Sequence, residues 1–213
     1  MRHSVSIGVS FLFFLGASST YGQFTPVTAA IKQTEEWSVD GKVTKTVVQE
    51  GTYWRTSAGS TLVRWSKLNG DPGAASVAWG DLWDNSTAIS YRIDFKYGKA
   101  YEHNKGHGPV QAGSFRTNET LSAPEDFVDG ARCRVLPVKM ELSGQLQEVG
   151  KFCISLEYDM VLRQEITHPL RTQGQTFHKV VEISGVRAGA EPDPKMFDLQ
   201  HTYSLLQETN KRD

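Results

Sequence analysis

The sequence has few cysteines, no surplus of charge and only one long apolar run, which lies at its N-terminus. Two cysteines are too few for a disulfide-dense miniprotein or for a four-thiolate zinc site. A net charge of −1 argues against a dedicated nucleic-acid binder, which normally carries a basic surplus. Because 38% of the 213 residues are apolar, the chain can build a core, and its length predicts a single domain.

The sequence also lacks the common catalytic signatures G-x-S-x-G, H-E-x-x-H, G-x-G-x-x-G and the P-loop. His103 and His107 flank a glycine-bearing loop, so a solvated loop is favoured over a metal site. Glu157 and Asp159 share strand parity, as paired acids of a glycosidase would, but solvated charges are commoner there. We therefore predict a non-enzymatic protein without a metal or a cofactor.

The N-terminal residues 1–22 have the organisation of a signal peptide. Arg2 is followed by an apolar run, residues 5–15, and then by small residues. The run is too short to span a bilayer, which requires roughly 20 apolar residues. We predict cleavage near Gly22, a periplasmic or secreted protein and no membrane span. The remaining chain divides into a domain, residues 23–206, and a polar tail, residues 207–213.

Export changes the interpretation of Cys133 and Cys153, because paired cysteines normally oxidise outside the cytoplasm. The midpoint between them falls at residues 143–144, where Ser-Gly is typical of a hairpin tip. Strand-like segments lie on both sides. We predict a structural disulfide between directly opposed residues of this hairpin, since opposed residues lie close enough for the bond.

The domain is rich in β-forming residues, since Val and Thr each outnumber Leu. Asp40-Gly41 predicts a type I′ turn between two strands, and a last strand is predicted over residues 176–183. These patterns predict a mainly β fold, namely a single curved antiparallel sheet or half-open β-barrel of roughly eight to ten strands. The few short helical segments are predicted at residues 28–33, 122–127 and 195–197.

Two groups of residues are candidates for ligand binding. Strict alternation places four apolar side chains on one face of a strand: Ile89, Tyr91, Ile93 and Phe95. Trp79 and Trp83 share a face about 13 Å apart, a spacing that suits stacked sugars, although core tryptophans are commoner in sheets. Asn85 and Asn118 begin N-glycosylation acceptor patterns, which matter only in a eukaryotic secretory pathway.

Several segments together resemble a family of uncharacterised exported bacterial β-rich proteins. The segments are residues 40–41, 51–59, 91–94, 99–101, 129–133, 153–158 and 191–199, together with Tyr203. The order of the parts is similar, more remotely, to the periplasmic lipoprotein-carrier (LolA/LolB-like) fold. This resemblance implies a curved sheet around an apolar cavity that holds acyl chains, but the chain lacks the long amphipathic helices of the carrier lid.

Three functions follow from these patterns. The first is a non-enzymatic protein that binds a lipid, a lipoprotein acyl chain or another apolar ligand on the concave face of its sheet. The second is an envelope-associated structural or interaction protein with a filled core. The third is a secreted carbohydrate binder or hydrolase that uses Trp79 and Trp83.

Overall fold

A computed structural model describes residues 24–69, 79–105, 117–142, 144–170, 172 and 174–206. Within these ranges the fold is one open sheet of twelve strands with two short α-helices and one 3₁₀ helix. The strands are β1 (Val27–Val39), β2 (Lys42–Arg55), β3 (Thr61–Asn69), β4 (Trp79–Asp84), β5 (Ile89–Asp94), β6 (Lys99–Lys105), β7 (Glu125–Val128), β8 (Ala131–Leu142), β9 (Gln145–Ser155), β10 (Met160–Pro169), β11 (Gln175–Ala188) and β12 (Ser204–Leu206). The helices are α1 (Asn118–Ser122), the 3₁₀ helix (Pro194–Phe197) and α2 (Leu199–Thr202).

The strand order is β12-β6-β5-β4-β3-β2-β1-β11-β10-β9-β8-β7. Neighbouring strands pair antiparallel except for β12, which pairs parallel to β6. The predicted class, a single open and mainly antiparallel sheet with few short helices, is confirmed. The expected eight to ten strands were too few, because β7 and β12 are short edge strands of only four and three residues.

Two Asp-Gly pairs form tight turns between paired strands. Asp40 and Gly41 both have positive φ, 49° and 76°, which confirms the predicted tight turn between β1 and β2. Asp129 and Gly130 repeat this geometry between β7 and β8 with φ of 49° and 77°. The second pair was not predicted as a turn, although it carries the same sequence signal as the first.

Two of the predicted helical segments are wrong, and the third is confirmed. Residues 28–33 belong to β1, because Val27, Ala29 and Ile31 are buried in alternation, which is the period of a strand. Residues 122–127 instead contain the end of α1 and most of β7. The helix begins earlier, at an N-cap Thr117, and the proline at position 124 disfavours helical φ and ψ in the residue before it. The 3₁₀ helix confirms the predicted turn at 195–197.

The sheet carries a core on each of its two faces. We call the face that bears Val27, Ala29 and Ile31 the inner face, and the opposite face the outer face. The inner core extends over both sides of the sheet centre, through these residues: Tyr53, Trp65, Cys133, Cys153, Met160, Leu162 and Ile183. The outer core lies at the β3–β6 end and is built on Leu62, Leu82, Ile93 and Ala100. The two cores thus lie on opposite faces of the sheet and meet at β3, which contributes Trp65 to the inner core and Leu62 to the outer core.

Glycines lie where adjacent strands approach most closely. A Cβ built on Gly150 would overlap the backbone carbonyl oxygen of Glu165 on β10. A Cβ built on Gly51 would likewise overlap the backbone carbonyl oxygen of Arg64 on β3, and Gly51 lies next to a bulge between β2 and β3. At such positions the absence of a side chain permits the close strand approach and the bend that accompanies it.

Gly150→Ala is expected to lower the free energy of unfolding by about 2 kcal/mol, because the new methyl group must displace a backbone atom. Denaturant unfolding followed by circular dichroism measures the change. Glu148→Ala, an exposed position on the same strand, is the matched control and should change stability by no more than about 0.5 kcal/mol. Equal effects of the two substitutions would contradict the close approach.

The predicted signal peptide, its cleavage position near Gly22 and the polar tail from residue 207 lie outside the described residues. So do His107 and residue 143 at the tip of the cysteine hairpin. Export and the domain boundaries therefore stay predictions.

Candidate functional site

The apolar residues predicted to bind a ligand lie on the outer face. Tyr91 of β5 opposes Leu82 of β4, and Ile93 opposes Ala100 of β6, so all four point to the same side. The side chain of Ile93 has 0% exposure. Phe95, just beyond β5, packs against the same core, and Ile89 shares the parity of Tyr91 on the strand.

This part of the outer face is covered by the C-terminus of the described chain. We call residues 194–206 the strap; they comprise the 3₁₀ helix, α2 and β12. Leu199 and Tyr203 are buried against the sheet at 9% exposure each. The rings of Tyr203 and Phe95 meet edge-on, with centroids 6.2 Å apart. The predicted apolar residues are therefore brought together, but the protein's own strap lies over them.

Trp79 and Trp83 lie on the other side of the sheet, the inner face. In the pairing of β3 with β4, Trp83 lies opposite Thr61 and Asp81 lies opposite Val63. Trp83 is 7% exposed, and its indole Nε1 donates to Asn85 Oδ1 at 3.4 Å. A buried Trp83 ring offers no surface for stacking, which agrees with the core role that the sequence favoured over a sugar platform. The two tryptophans and the residues around Ile93 cannot form one site.

Trp79 forms the edge of the inner core together with three neighbours. Its ring lies 5.9 Å from that of Trp65, and the guanidinium of Arg92 covers it at 4.8 Å. Asp81 accepts a hydrogen bond from Trp65 Nε1 at 3.1 Å and lies 3.6 Å from Arg92. This arrangement shields the edge of the core from water, and it explains the burial of these aromatic rings without a ligand.

Arg55 is the most buried cation of the described chain, at 1% exposure. Its guanidinium donates to the carbonyl oxygen of Thr25 and to those of Tyr158 and Asp159. Residues 158–159 form the turn between β9 and β10, and these strands lie three or four positions from β2 in the strand order. Because one side chain joins these positions across the inner face, the sheet must curl toward that face.

Burial also determines the electrostatics around Arg55. Desolvation lowers the pKa of Arg55, and the nearby Tyr53 and Asp159 oppose that shift. Burial raises the pKa of the Tyr53 hydroxyl to about 12, although the positive charge of Arg55 acts to lower that pKa. The Tyr53 hydroxyl therefore stays neutral near pH 7, and the hydrogen bonds of Arg55 identify the pair as structural contacts. In the sequence, Arg55 lies within a segment that carries the family resemblance, and no local pattern predicts its structural role.

Cys133 and Cys153 form the predicted disulfide, with Cα atoms 5.3 Å apart. They are not directly opposed, however, because Cys153 lies opposite Val135. The last pair of the hairpin is Leu142 with Gln145, and a bulge after Val138 shifts the pairing further toward the cysteines. The bond therefore runs diagonally between the strands, and both cysteines belong to the inner core.

A row of half-exposed rings lies on the inner face beyond the core. Trp37 of β1 opposes Phe177 of β11, with ring centroids 5.2 Å apart. Phe177 in turn opposes His168 of β10 at 5.4 Å. On the other side, Lys45 Nζ of β2 lies 4.9 Å above the Trp37 ring. We call Lys45, Trp37, Phe177 and His168 the aromatic row; it crosses four adjacent strands, a span of about 14 Å.

Polar groups separate the aromatic row from the inner core. Glu35 lies 3.7 Å from Lys179, and Gln33 Nε2 donates to both Glu35 and Gln49. The rings of the row thus form a second apolar surface rather than an extension of the core. Among the described elements, α1 has its main contacts with β8, and α2 has its main contacts with β12 and the 3₁₀ helix. The main contacts of these helices are therefore away from the aromatic row.

The weaker sequence candidates do not assemble into a site. Glu157 and Asp159 lie in the turn between β9 and β10 rather than on one strand. Glu165 contacts Lys151 and Arg163 at 3.6 Å each. Within the described ranges, no three His, Cys, Asp or Glu side chains are arranged to hold a metal ion. No described helix is both long and apolar enough to cross a membrane.

The comparisons with known proteins give remote structural similarities. No family model and no curated sequence matches the chain. Among solved structures it is similar to a LolA superfamily protein, NE2245 from Nitrosomonas europaea, with TM-score 0.33, 8% identity and coverage of 80% of this chain and 89% of that one. The predicted remote similarity to the lipoprotein-carrier fold is confirmed to that extent.

Two further similarities involve larger chains. The MucA/MucB complex of Pseudomonas aeruginosa matches with TM-score 0.37 and 15% identity over 84% of this chain and 58% of that one. PNGF-II matches with TM-score 0.36 and 9% identity over 84% of this chain. The chain spans 32% of the length of PNGF-II.

Proposed function

We propose that this protein is an exported, non-enzymatic β-protein that binds a lipid or another apolar ligand on the inner face, at the aromatic row. The observation that supports the proposal is the side-by-side placement of Trp37 and Phe177, both half-exposed, next to the charged pair Glu35 and Lys179 on the same two strands. Covering exposed aromatic surface stabilises a complex by about 25 cal/mol per Å².

The predicted apolar residues of β5 are the poorer candidates for this function, because the strap already covers them. The aromatic row has three adjoining rings and one ammonium group at its end. Such a surface suits a ligand with an extended apolar part, which can lie across the four strands. Binding of this kind requires no catalytic group.

We expect Trp37→Ser and Phe177→Ser each to weaken the binding of the neutral apolar dye Nile red by about tenfold, which corresponds to about 1.4 kcal/mol of lost contact. Fluorescence titration of the purified protein measures the affinity. Native mass spectrometry of the same protein, isolated from the exported fraction, tests for a co-purified lipid, and the mass of the chain tests cleavage near Gly22.

Phe127→Ser is the control for the loss of an aromatic ring, because Phe127 is 62% exposed and lies on the edge strand β7. Its Nile red affinity should equal that of the unmodified protein. If all three variants bind equally, the aromatic row is not the binding surface. If no dye or lipid binds at all, the proposed function fails.

The second candidate is a structural or interaction protein without a ligand. Two filled cores and the strap over the outer face favour it. The same experiments separate the two candidates, because a ligand-free scaffold would carry no lipid in native mass spectra and would bind no Nile red.

A further inference from the structure

The turn between β5 and β6 is fixed by its own hydrogen bonds and points into open space. Asp94 Oδ1 accepts from Lys96 N at 2.9 Å and from Tyr97 N at 3.2 Å, in the manner of an Asx turn. Gly98 follows with a positive φ of 60°, and a Cβ built on it would meet no atom within 4 Å. The turn is therefore an ordered, protruding part of the surface.

This turn presents one tyrosine ring together with two lysine side chains. Tyr97 is 62% exposed. The Nζ atoms of Lys96 and Lys99 lie 5.0 and 5.9 Å from the centroid of its ring, which is the range of a cation–π interaction. We call residues 96–99 the basic turn. Because the carboxylate at its base, that of Asp94, already accepts from the turn backbone, the groups that protrude are an aromatic ring and two ammonium groups.

A second exposed apolar side chain lies at the same corner of the sheet. The edge strand β12 is joined to the basic turn, because Ser204 N donates to the carbonyl oxygen of Gly98 at 2.8 Å. The next residue of β12, Leu205, pairs with Ala100 of β6 and is 50% exposed. The β12 edge of the sheet therefore carries Tyr97 and Leu205, both half-exposed or more, beside two lysines.

The opposite edge of the sheet has a different charge arrangement. Among the described residues, Phe127 is the other aromatic side chain that is more than half exposed, at 62%, and it lies on β7 next to Asp126. The cations of that edge, Arg132 and Arg134, are paired with Glu125 at 3.8 and 2.8 Å. The β7 edge is thus locally compensated in charge, whereas the basic turn favours a negatively charged partner.

The shape and size of this corner favour a membrane surface over a small molecule or a protein. A small molecule is usually held in a concave pocket, and a stable protein interface covers about 1,200–2,000 Å². A protruding turn with two apolar side chains provides neither. A bilayer surface requires only a few groups, since tyrosine is stable at the boundary between headgroups and hydrocarbon. Lysine pairs there with anionic headgroups while its methylene stem lies along the apolar layer.

We propose that the basic turn and Leu205 dock this protein reversibly on a membrane surface that contains anionic phospholipid. Tyr97 and Leu205 enter the boundary between headgroups and acyl chains, and the ammonium groups of Lys96 and Lys99 pair with lipid phosphates. This contact lies on β5, β6 and β12, whereas the aromatic row lies on β2, β1, β11 and β10. Docking is therefore independent of ligand binding at the aromatic row.

Vesicle flotation tests the docking. We expect the purified protein to float with vesicles of equal parts phosphatidylcholine and phosphatidylglycerol, and to stay unbound with vesicles of phosphatidylcholine alone. Lys96→Gln and Lys99→Gln should each weaken binding to the mixed vesicles about fivefold, the effect of one cation at an anionic surface, and Tyr97→Ser should weaken it by a similar factor. Lys42→Gln, at an exposed lysine of the β1–β2 hairpin, and Phe127→Ser are the matched controls and should bind like the unmodified protein.

A fluorescent label shows which part of the protein enters the membrane. Because the two native cysteines form a disulfide, a nitrobenzoxadiazole label on the Tyr97→Cys variant reports on the basic turn alone. Its emission should shift to shorter wavelength on the mixed vesicles, as expected for transfer into a less polar layer. The same label on the Phe127→Cys variant should show no shift.

Equal binding to the two kinds of vesicle, or equal binding by the lysine variants and the unmodified protein, would overturn the proposal. Release by inorganic phosphate beyond that caused by chloride at the same ionic strength would also overturn it, because the turn would then bind free phosphate rather than a membrane. Nile red binding at the aromatic row should be the same in the Tyr97→Ser variant and the unmodified protein. The failure of the docking and the failure of the proposed function are thus separate results.

Discussion

Replacing Arg55 by methionine is expected to lower the free energy of unfolding by about 3 kcal/mol. The substitution keeps an apolar stem of similar length but removes the donors to three backbone carbonyl groups, those of Thr25, Tyr158 and Asp159. A buried polar group left without its partner costs about 1–3 kcal/mol. Arg55 also joins β2 to the β9–β10 turn across the inner face, so its loss should loosen the curl of the sheet. Urea unfolding measures the stability.

The control for this prediction is Arg187→Met, at an exposed arginine of β11, which should change stability by no more than about 0.5 kcal/mol. Arg55→Lys keeps the charge but cannot reach several carbonyl oxygens at once, so it should fall between the methionine variant and the unmodified protein. An Arg55→Met variant as stable as the Arg187→Met variant would show that the bridge across the inner face does not hold the sheet together.

Removing the disulfide with Cys133→Ala and Cys153→Ala together is expected to cost about 3 kcal/mol. The bond closes a loop with a sequence separation of 20 residues, and the chain-entropy model assigns a loop of this size about that stabilisation. Both sulfur atoms lie in the inner core, so the variant also loses packing there. Thermal unfolding followed by circular dichroism measures the effect.

Reductant provides the control for the disulfide prediction. The unmodified protein should lose stability when unfolded in the presence of dithiothreitol, whereas the double variant should be insensitive to it. If the variant is as stable as the oxidised protein, the bond contributes nothing beyond the packing of the hairpin. If two free thiols are found in the purified exported protein, the pairing itself is wrong.

Local patterns predicted the local structure well. Asp40-Gly41 predicted its turn because positive φ at two successive residues strongly favours this pair. The alternation around Ile93 predicted both the strand and its buried face, because a strand with one buried face must have a two-residue period. The short apolar segment at residues 28–33 was assigned to a helix instead, since few alternations fit within six residues.

The candidate site was predicted only in part. Trp79 and Trp83 were predicted correctly to share a face of β4. The sequence does not say, however, whether other parts of the chain pack over that face and bury the rings. The aromatic row was missed because Trp37, Phe177 and His168 lie on three different strands, and β1 and β11 are far apart in the chain. Their contact depends on strand order, which the period of a single strand does not contain.

By itself, the sequence determined the β class, the main hairpins, the cysteine pair and the apolar side of β5, because each depends on neighbouring residues or on one short hairpin. Only the tertiary structure decided that the strap covers that apolar side, that Trp83 is buried on the opposite face and that Arg55 joins β2 to the β9–β10 turn. These features arise from contacts between residues distant in the chain. Their positions follow from the order and curl of the whole sheet, which no single segment encodes.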